Sequence, residues 1–220
     1  MRSVVHTFLL TFFRLLYNEF AWTYDFVAWV VSIGHWKTWV LSVLSDIECS
    51  PVLELGFGPG HLQESLFNSG FCTFGLDASK FMFGLAFNRI RKLGFVPLLV
   101  NGYAQNMPFK NGFFQTIVAT FPSEYIFRED TWKEIHRVLD INGKVVVLPA
   151  AWLTGKNVLQ RLAALLFRIT HQVPSASPTP AKPPQAVELI ESYGFNVSYE
   201  YRELTDSTVL ILCATKSGTS

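Results

Sequence analysis

Short apolar runs and longer amphipathic stretches take turns through the middle of this chain. The runs at 52–55, 73–77, 96–101, 114–120 and 144–148 are of strand length and carry apolar residues at consecutive positions. That pattern marks strands covered on both faces, as in a parallel sheet. Between them, 62–68, 80–92 and 130–139 place apolar residues at helical spacing, and Gly70, Gly94 and the Asn142-Gly143 pair end them. Alternation of this kind predicts an α/β domain built on a mainly parallel, doubly wound sheet. A further helix over 186–193 stops at Gly194. Strands at 196–203 and 208–215 follow, with Leu204-Thr-Asp-Ser207 between them, so the seven-stranded sheet should close in an antiparallel hairpin.

The flanks follow other rhythms. Trp22, Phe26, Trp29, Ile33, Trp36 and Val40 fall at i, i+4, i+7 spacing, which puts them on one helical face, with Gly34 as a point of bending. Such a face either caps the main domain or meets a membrane surface. Residues 157–169 are apolar nearly all round, and 174–184 carry five prolines, an extended linker. The expected organisation is a helical cap (1–45), a ligand-binding core (46–150), a lid helix with a Pro-rich linker (151–185), and a C-terminal helix and hairpin (186–220). Between Asp140 and Glu188 there are five Lys or Arg and no acidic residue. This is a solvated basic edge or a contact for anionic lipid or substrate.

Composition narrows the function classes. Charged residues make up 16% of the chain, against roughly 25% in typical domains. The chain therefore either buries unusually well or keeps apolar surface for a partner, a membrane or an oily substrate. A net charge of +1 offers no ground for nucleic-acid binding. Cys49, Cys72 and Cys213 fit neither zinc spacing nor a disulfide framework, which points to a reducing, cytoplasmic location. The five histidines are scattered, and no metal site is expected. Arg14, Glu19, Asp25 and Lys37 interrupt the apolar N-terminal region, so no uncharged run reaches the ~18 residues of a membrane span. A soluble chain, with peripheral membrane contact at most, is the expectation.

The chemistry concentrates in 52–62. Gly56, Gly58 and Gly60 follow a strand and open a helix, an arrangement that lets backbone approach a ligand closely. A nicotinamide-type loop would read G-x-G-x-x-G, but here the third glycine comes one residue early and His61 stands in its place. A phosphate-cradling loop needs Gly-Lys-Ser/Thr, and Gly155-Lys156-Asn157 is out of context. Asp77 ends the next strand, where a carboxylate can bind a ribose diol.

Glu54-Leu-Gly56-Phe-Gly58-Pro-Gly60 resembles motif I of the class I S-adenosylmethionine-dependent methyltransferases. Gly75-Leu-Asp77-Ala-Ser79 resembles the acidic end of that family's second strand, Ala104-Gln-Asn-Met-Pro-Phe109 its adenine-side loop, and 114–118 its fourth strand. Residues 134–139, Asn142-Gly143 and the strand after them resemble its helix and fifth strand. The most similar branch is that of the ubiquinone- and menaquinone-biosynthesis-like methyltransferases (methyltransferase type 11), and the resemblance runs from Tyr24 to Thr215.

The resemblance implies a Rossmann-like fold, S-adenosyl-L-methionine as cofactor and a small-molecule methyl acceptor. Gly56, Gly58 and Gly60 would let the backbone pass beside the methionine part of the cofactor. Glu54 would lie near its ammonium group or order the loop amides. Asp77 would accept both ribose hydroxyls through its two oxygens. The Ala78 backbone would line the adenine and the Ala104 amide would face a ring nitrogen, while Tyr24 would close over the cofactor from the cap. Phe121, in the loop after the fourth strand where acceptors meet the cofactor in this fold, would contact the cofactor. Two positions depart from the family pattern. Tyr103 stands where an Asp usually receives the adenine amino group, and Gln115 replaces an acidic residue. Tyr103 either substitutes through its hydroxyl or by stacking, or leaves binding weaker by on the order of 1 kcal/mol.

The implied reaction is in-line displacement from the sulfonium onto a small, apolar acceptor, which needs positioning and a dry pocket. No catalytic base is assigned, although Tyr24, His35, Glu124 and Tyr125 could border the acceptor. Two other readings stand beside it: a degenerate scaffold that kept the fold, and a membrane-surface enzyme acting on a lipid or quinone. Nothing in the sequence indicates the oligomeric state.

Overall fold

The computed structural model describes residues 34–154 and 186–217. Seven strands form one sheet in the order β3-β2-β1-β4-β5-β7-β6: β1 (Val52–Leu55), β2 (Thr73–Asp77), β3 (Leu99–Asn101), β4 (Phe114–Thr120), β5 (Leu139–Leu153), β6 (Phe195–Leu204) and β7 (Ser207–Lys216). Neighbours from β3 to β5 pair in parallel. The β5–β7 and β7–β6 pairs are antiparallel. The helices are α1 (Trp36–Leu41), α2 (His61–Asn68), α3 (Lys80–Lys92), α4 (Glu129–Val138) and α5 (Ala186–Ser192), with 3-10 turns at Ser42–Asp46 and Glu124–Phe127. The doubly wound sheet and its closing hairpin are those expected from the sequence.

Strand alternation sorts the core into two layers. On one face Leu53, Leu55, Ile117, Ala119, Val145 and Val147 pack with Trp132 and Ile135 of α4 and Ile190 of α5. On the other, Val52, Val118, Val146 and Leu148 pack with Leu62 and Leu66 of α2 and with Trp39, Val40 and Val43. Both faces are dry, which is why these strands read as continuous apolar runs.

The boundaries that moved have local causes. The third strand is shorter than 96–101 because Pro97 offers no N–H to a ladder, and Val96 lies 75% exposed. The fifth is longer than 144–148. It takes over directly from α4 at Leu139, bulges around Asn142 (φ +62), and runs on past Pro149, where its register against β7 shifts. Gly34 (φ +80) lies just before α1, and the helix expected on its other side is outside the described residues. Trp39, off the predicted stripe, is buried, and its indole N–H donates to Ser207 Oγ at 2.8 Å. Arg202 of β6 adds a second tie, its guanidinium reaching both oxygens of Asp46 at 3.0 Å and the Ser42 carbonyl. Tyr24, the stripe from Trp22 to Ile33, and the 157–169 and 174–184 segments lie outside the described residues. Among the described residues, no helix is long and apolar enough to cross a membrane.

Candidate functional site

The strand order reverses at β1, with β2 on one side and β4 on the other, so the carboxyl ends of β1 and β4 open a crevice between their following loops. The glycine loop fills its rim, and each glycine is there for its own reason. Gly60 adopts φ +85 as the residue before α2, and a Cβ on it would lie 2.9 Å from Ala86 Cβ on α3. Gly58 (φ +51) faces open space, and Gly56 (φ +70) lies under the Tyr125 hydroxyl, which donates to the Leu55 carbonyl at 3.1 Å. Arg89 of α3 holds the loop from behind, donating to the Pro59 carbonyl at 2.9 Å and pairing with Glu64 at 3.2 Å. A glycine not singled out in the sequence matters as well. A Cβ on Gly75 would come within 2.6 Å of the Phe57 ring, so its absence seats the loop on β2.

Asp77 joins the two loops. Its Oδ2 accepts from the Gly58 amide and its Oδ1 from the Ser79 amide, both at 2.8 Å. Burial pushes this carboxyl up from the ordinary range, and the two amides work against that shift. Each oxygen has one lone pair committed and another available for a hydroxyl. Ser79 then caps α3 by accepting from Met82 N.

Glu54 is 2% exposed. Its Oε2 accepts from Gln63 Nε2 at 2.9 Å. The same amide nitrogen also donates to the Phe74 carbonyl at 3.1 Å, and Gln63 Oε1 accepts from Thr73 Oγ1 at 3.4 Å. Burial pushes the Glu54 carboxyl up to about 8; the Gln63 hydrogen bond opposes this, and the nearby Asp77 adds to it. The role foreseen in ordering the loop amides therefore falls to Asp77, while Glu54 is held from α2.

A cleft lies between this loop and α1, lined by Trp36, Val40, Glu54, Gly58, His61 and Thr120. One wall is polar backbone with a buried carboxyl. The other is aromatic, with Trp36 stacked on Phe121 at 4.4 Å between ring centroids. Phe121 adopts φ +46, unusual for a bulky residue, and so turns the chain sharply after β4.

The remaining expected positions scatter around this centre. Ala104 is buried, whereas Ala78 is exposed and Tyr103 is 68% exposed. Tyr103 follows β3 at the rim, one strand beyond Asp77. His35 stacks against Trp39 beside α1 and Glu124 is exposed. Gln115 binds Asp140 Oδ2 at 2.6 Å, a structural role remote from the cleft. Gln63, Arg89 and the placement of Trp36 in the cleft wall were not foreseen, because each depends on what lies across a helix–strand contact. A polar residue on the inner face of α2 was the available sign of Gln63.

A family model described as "Methyltransferase domain" matches residues 53–147. The chain is similar to a demethylmenaquinone methyltransferase of Chlorobaculum tepidum, at 25% identity over 240 residues covering 98% of this chain and 96% of the relative. Among solved structures it resembles a Methanococcus maripaludis protein classed with the S-adenosyl-L-methionine-dependent methyltransferases (TM-score 0.63, 18% identity, 93% of this chain and 95% of that one). It also resembles Haemonchus contortus phosphoethanolamine N-methyltransferase 2, solved with phosphomonomethylethanolamine and S-adenosylhomocysteine. There the TM-score is 0.60 and the identity 15%, over 84% of this chain and 53% of that one. At such identities the structural likeness speaks for the fold.

Proposed function

We propose that the chain is a class I S-adenosylmethionine-dependent methyltransferase and that it methylates a small, apolar acceptor with a ring of the quinone type. The observation that carries this reading is the asymmetry of the cleft. A glycine loop and the buried Glu54 carboxyl form one wall, and Trp36 and Val40 form the other, with Trp36 backed by its stack on Phe121. The cofactor supplies a methyl group already activated on a sulfonium. The residues of this chain then have to position the acceptor and keep water out.

The site suits the cofactor in three respects. Gly58 leaves open space where any Cβ would stand, as a ligand lying on the loop needs. Asp77 keeps unused lone pairs for the two ribose hydroxyls, and Glu54 offers a buried carboxyl to a cation. Gly56 and Gly60 shape the same lane. Ala78, Tyr103 and Ala104 would border the adenine, Tyr103 from an exposed rim. Tyr24 would close the site from the N-terminal segment.

On the acceptor side, the Trp36 ring, backed by Phe121, offers a flat apolar surface for a planar ring. The curated relative acts on a demethylated menaquinone, which agrees with that surface. Headgroup methylation of the kind named for the Haemonchus enzyme would call for charges that this aromatic wall does not provide. A quinone is a lipid, so contact with a membrane surface is part of the proposal.

The test is methyl transfer from labelled S-adenosylmethionine to reduced demethylmenaquinone and to phosphoethanolamine, in parallel. Label in the quinone alone is the expected result. Cofactor binding with label in neither acceptor would favour a scaffold, and label in phosphoethanolamine would overturn the apolar reading.

A further inference from the structure

Gln63 stands out among the buried groups that the proposed reaction leaves unused. It is fully buried on the inner face of α2, and its whole side chain is committed: one donor hydrogen to Glu54, one to the Phe74 carbonyl, and its oxygen to Thr73. Helices seldom place an amide in such a position without a purpose, since an unsatisfied amide there would cost about 1–3 kcal/mol. The arrangement fixes the Glu54 carboxyl at the cleft wall from behind, leaving its cleft side for a ligand.

The groups around Glu54 decide its charge. From β2 the Asp77 carboxyl opposes ionisation, and from α2 the Gln63 amide favours it. His61 lines the same cleft at the start of α2. The loop residues Gly56, Phe57, Gly58 and Pro59, the α1 residues Trp36 and Val40, and Thr120 of β4 bring no charge. Arg89, behind the loop, is engaged with Pro59 and Glu64. Among the described residues, the side chains that act on the Glu54 carboxyl are the Gln63 amide and the Asp77 carboxyl, and a cationic ligand in the cleft would bring the opposite charge.

We propose that Gln63 is a positioning residue, holding the Glu54 carboxyl at the cleft so that binding of a cationic ligand expels a proton from it. The inference rests on the reading that the ammonium- and sulfonium-bearing donor binds beside Glu54. The step balances simply: the neutral carboxyl releases its proton to solvent, and the resulting carboxylate faces the incoming cation. Gln63 sets how readily this happens, because its hydrogen bond stabilises the charged form.

Isothermal titration with S-adenosylmethionine, repeated in buffers of different ionisation enthalpy, counts the protons. With the Glu54 carboxyl lying near 8 before binding, wild-type protein should release about 0.7–1 proton per donor at pH 7. It should also bind about ninefold more tightly at pH 7 than at pH 6. Glu54→Gln should release none. Gln63→Leu, with Gln63→Met as a second variant of similar size, should show its largest loss of affinity at low pH and approach wild type as pH rises. A purely structural role would instead weaken binding equally at every pH and would overturn the assignment to Gln63. Fewer than about 0.3 protons released by the wild type at pH 7 would overturn the coupling without any variant. Absence of donor binding at every pH is a different result, and it would overturn the donor reading itself.

Discussion

Replacing Gly60 and Gly58 by alanine, one at a time, should separate folding from ligand binding within a single loop. Both glycines adopt left-handed backbone, φ +85 and +51, so each substitution costs about 1–2 kcal/mol in conformation. Only Gly60→Ala adds a collision. Its Cβ would lie 2.9 Å from Ala86 Cβ and 3.1 Å from Ala86 Cα, atoms of a fully buried residue of α3 that have no rotamer by which to swing aside. Overpacking of this kind adds about 1–3 kcal/mol, for a total of about 2–5 kcal/mol. In a chain of this size each kcal/mol lowers Tm by about 2–4 °C. Gly60→Ala should therefore melt well below Gly58→Ala in differential scanning calorimetry. Binding should fall out differently. The Gly58→Ala methyl group enters the open lane of the cleft, so this variant should stay folded yet bind S-adenosylmethionine at least about tenfold more weakly in titration calorimetry. Equal melting temperatures for the two variants, or wild-type affinity in Gly58→Ala, would refute the reasoning.

Further tests address other contacts. Glu54 has a folded-state value raised from 4.5 to about 8; its contribution to stability is whole below the unfolded value and is lost as pH rises through the folded one. Denaturant titrations of wild type and Glu54→Gln should diverge between pH 5 and 8 in favour of the variant, by up to about 1.4 kcal/mol per pH unit. A constant difference would contradict the burial of a neutral acid. Trp132 is 1% exposed, packs edge-on against Phe195 and donates to the Ile126 carbonyl at 2.8 Å; Trp132→Ala should cost about 3–5 kcal/mol in urea unfolding. Arg202→Met removes the tie to Asp46 and Ser42 and should cost about 1–3 kcal/mol by the same measurement, with little change in m-value. Tyr103→Asp, on an exposed rim, should leave the ligand-free Tm within about 1 °C and tighten S-adenosylmethionine binding about fivefold, the equivalent of one hydrogen bond. A lower affinity would assign the tyrosine a stacking role instead.

What could be read from the sequence was whatever depends on local pattern. The boundaries of β1, β2 and β4 were legible because β-branched runs buried on both faces end at glycines and turn residues. The hairpin of β6 and β7 was legible from two strand-length runs with a short polar turn. The glycine-loop wall of the candidate site was legible for a related reason: Gly56, Gly58, Gly60 and Asp77 sit on two consecutive βα turns, so their spacing along the chain carries their spacing in space. The third strand was overextended because Pro97 breaks a ladder without breaking hydrophobicity. The fifth was cut short because its continuation past Pro149 is stabilised by pairing with β7, more than fifty residues later in the chain.

The aromatic wall of the cleft was hidden for the same reason. Trp36 reaches the cleft only because α1 packs near the end of β4, where Phe121 turns the chain back on itself. Gln63 reads as an ordinary helix residue until Thr73, Phe74 and Glu54 surround it. By itself the sequence determined the strand–helix order, the glycine loop and the acid that follows it, all of them matters of short-range backbone geometry. The tertiary structure alone decided which side chains share a cleft, and with it the raised proton affinity of Glu54. Desolvation and charge proximity depend on what surrounds a group in three dimensions, and no spacing along the chain encodes that.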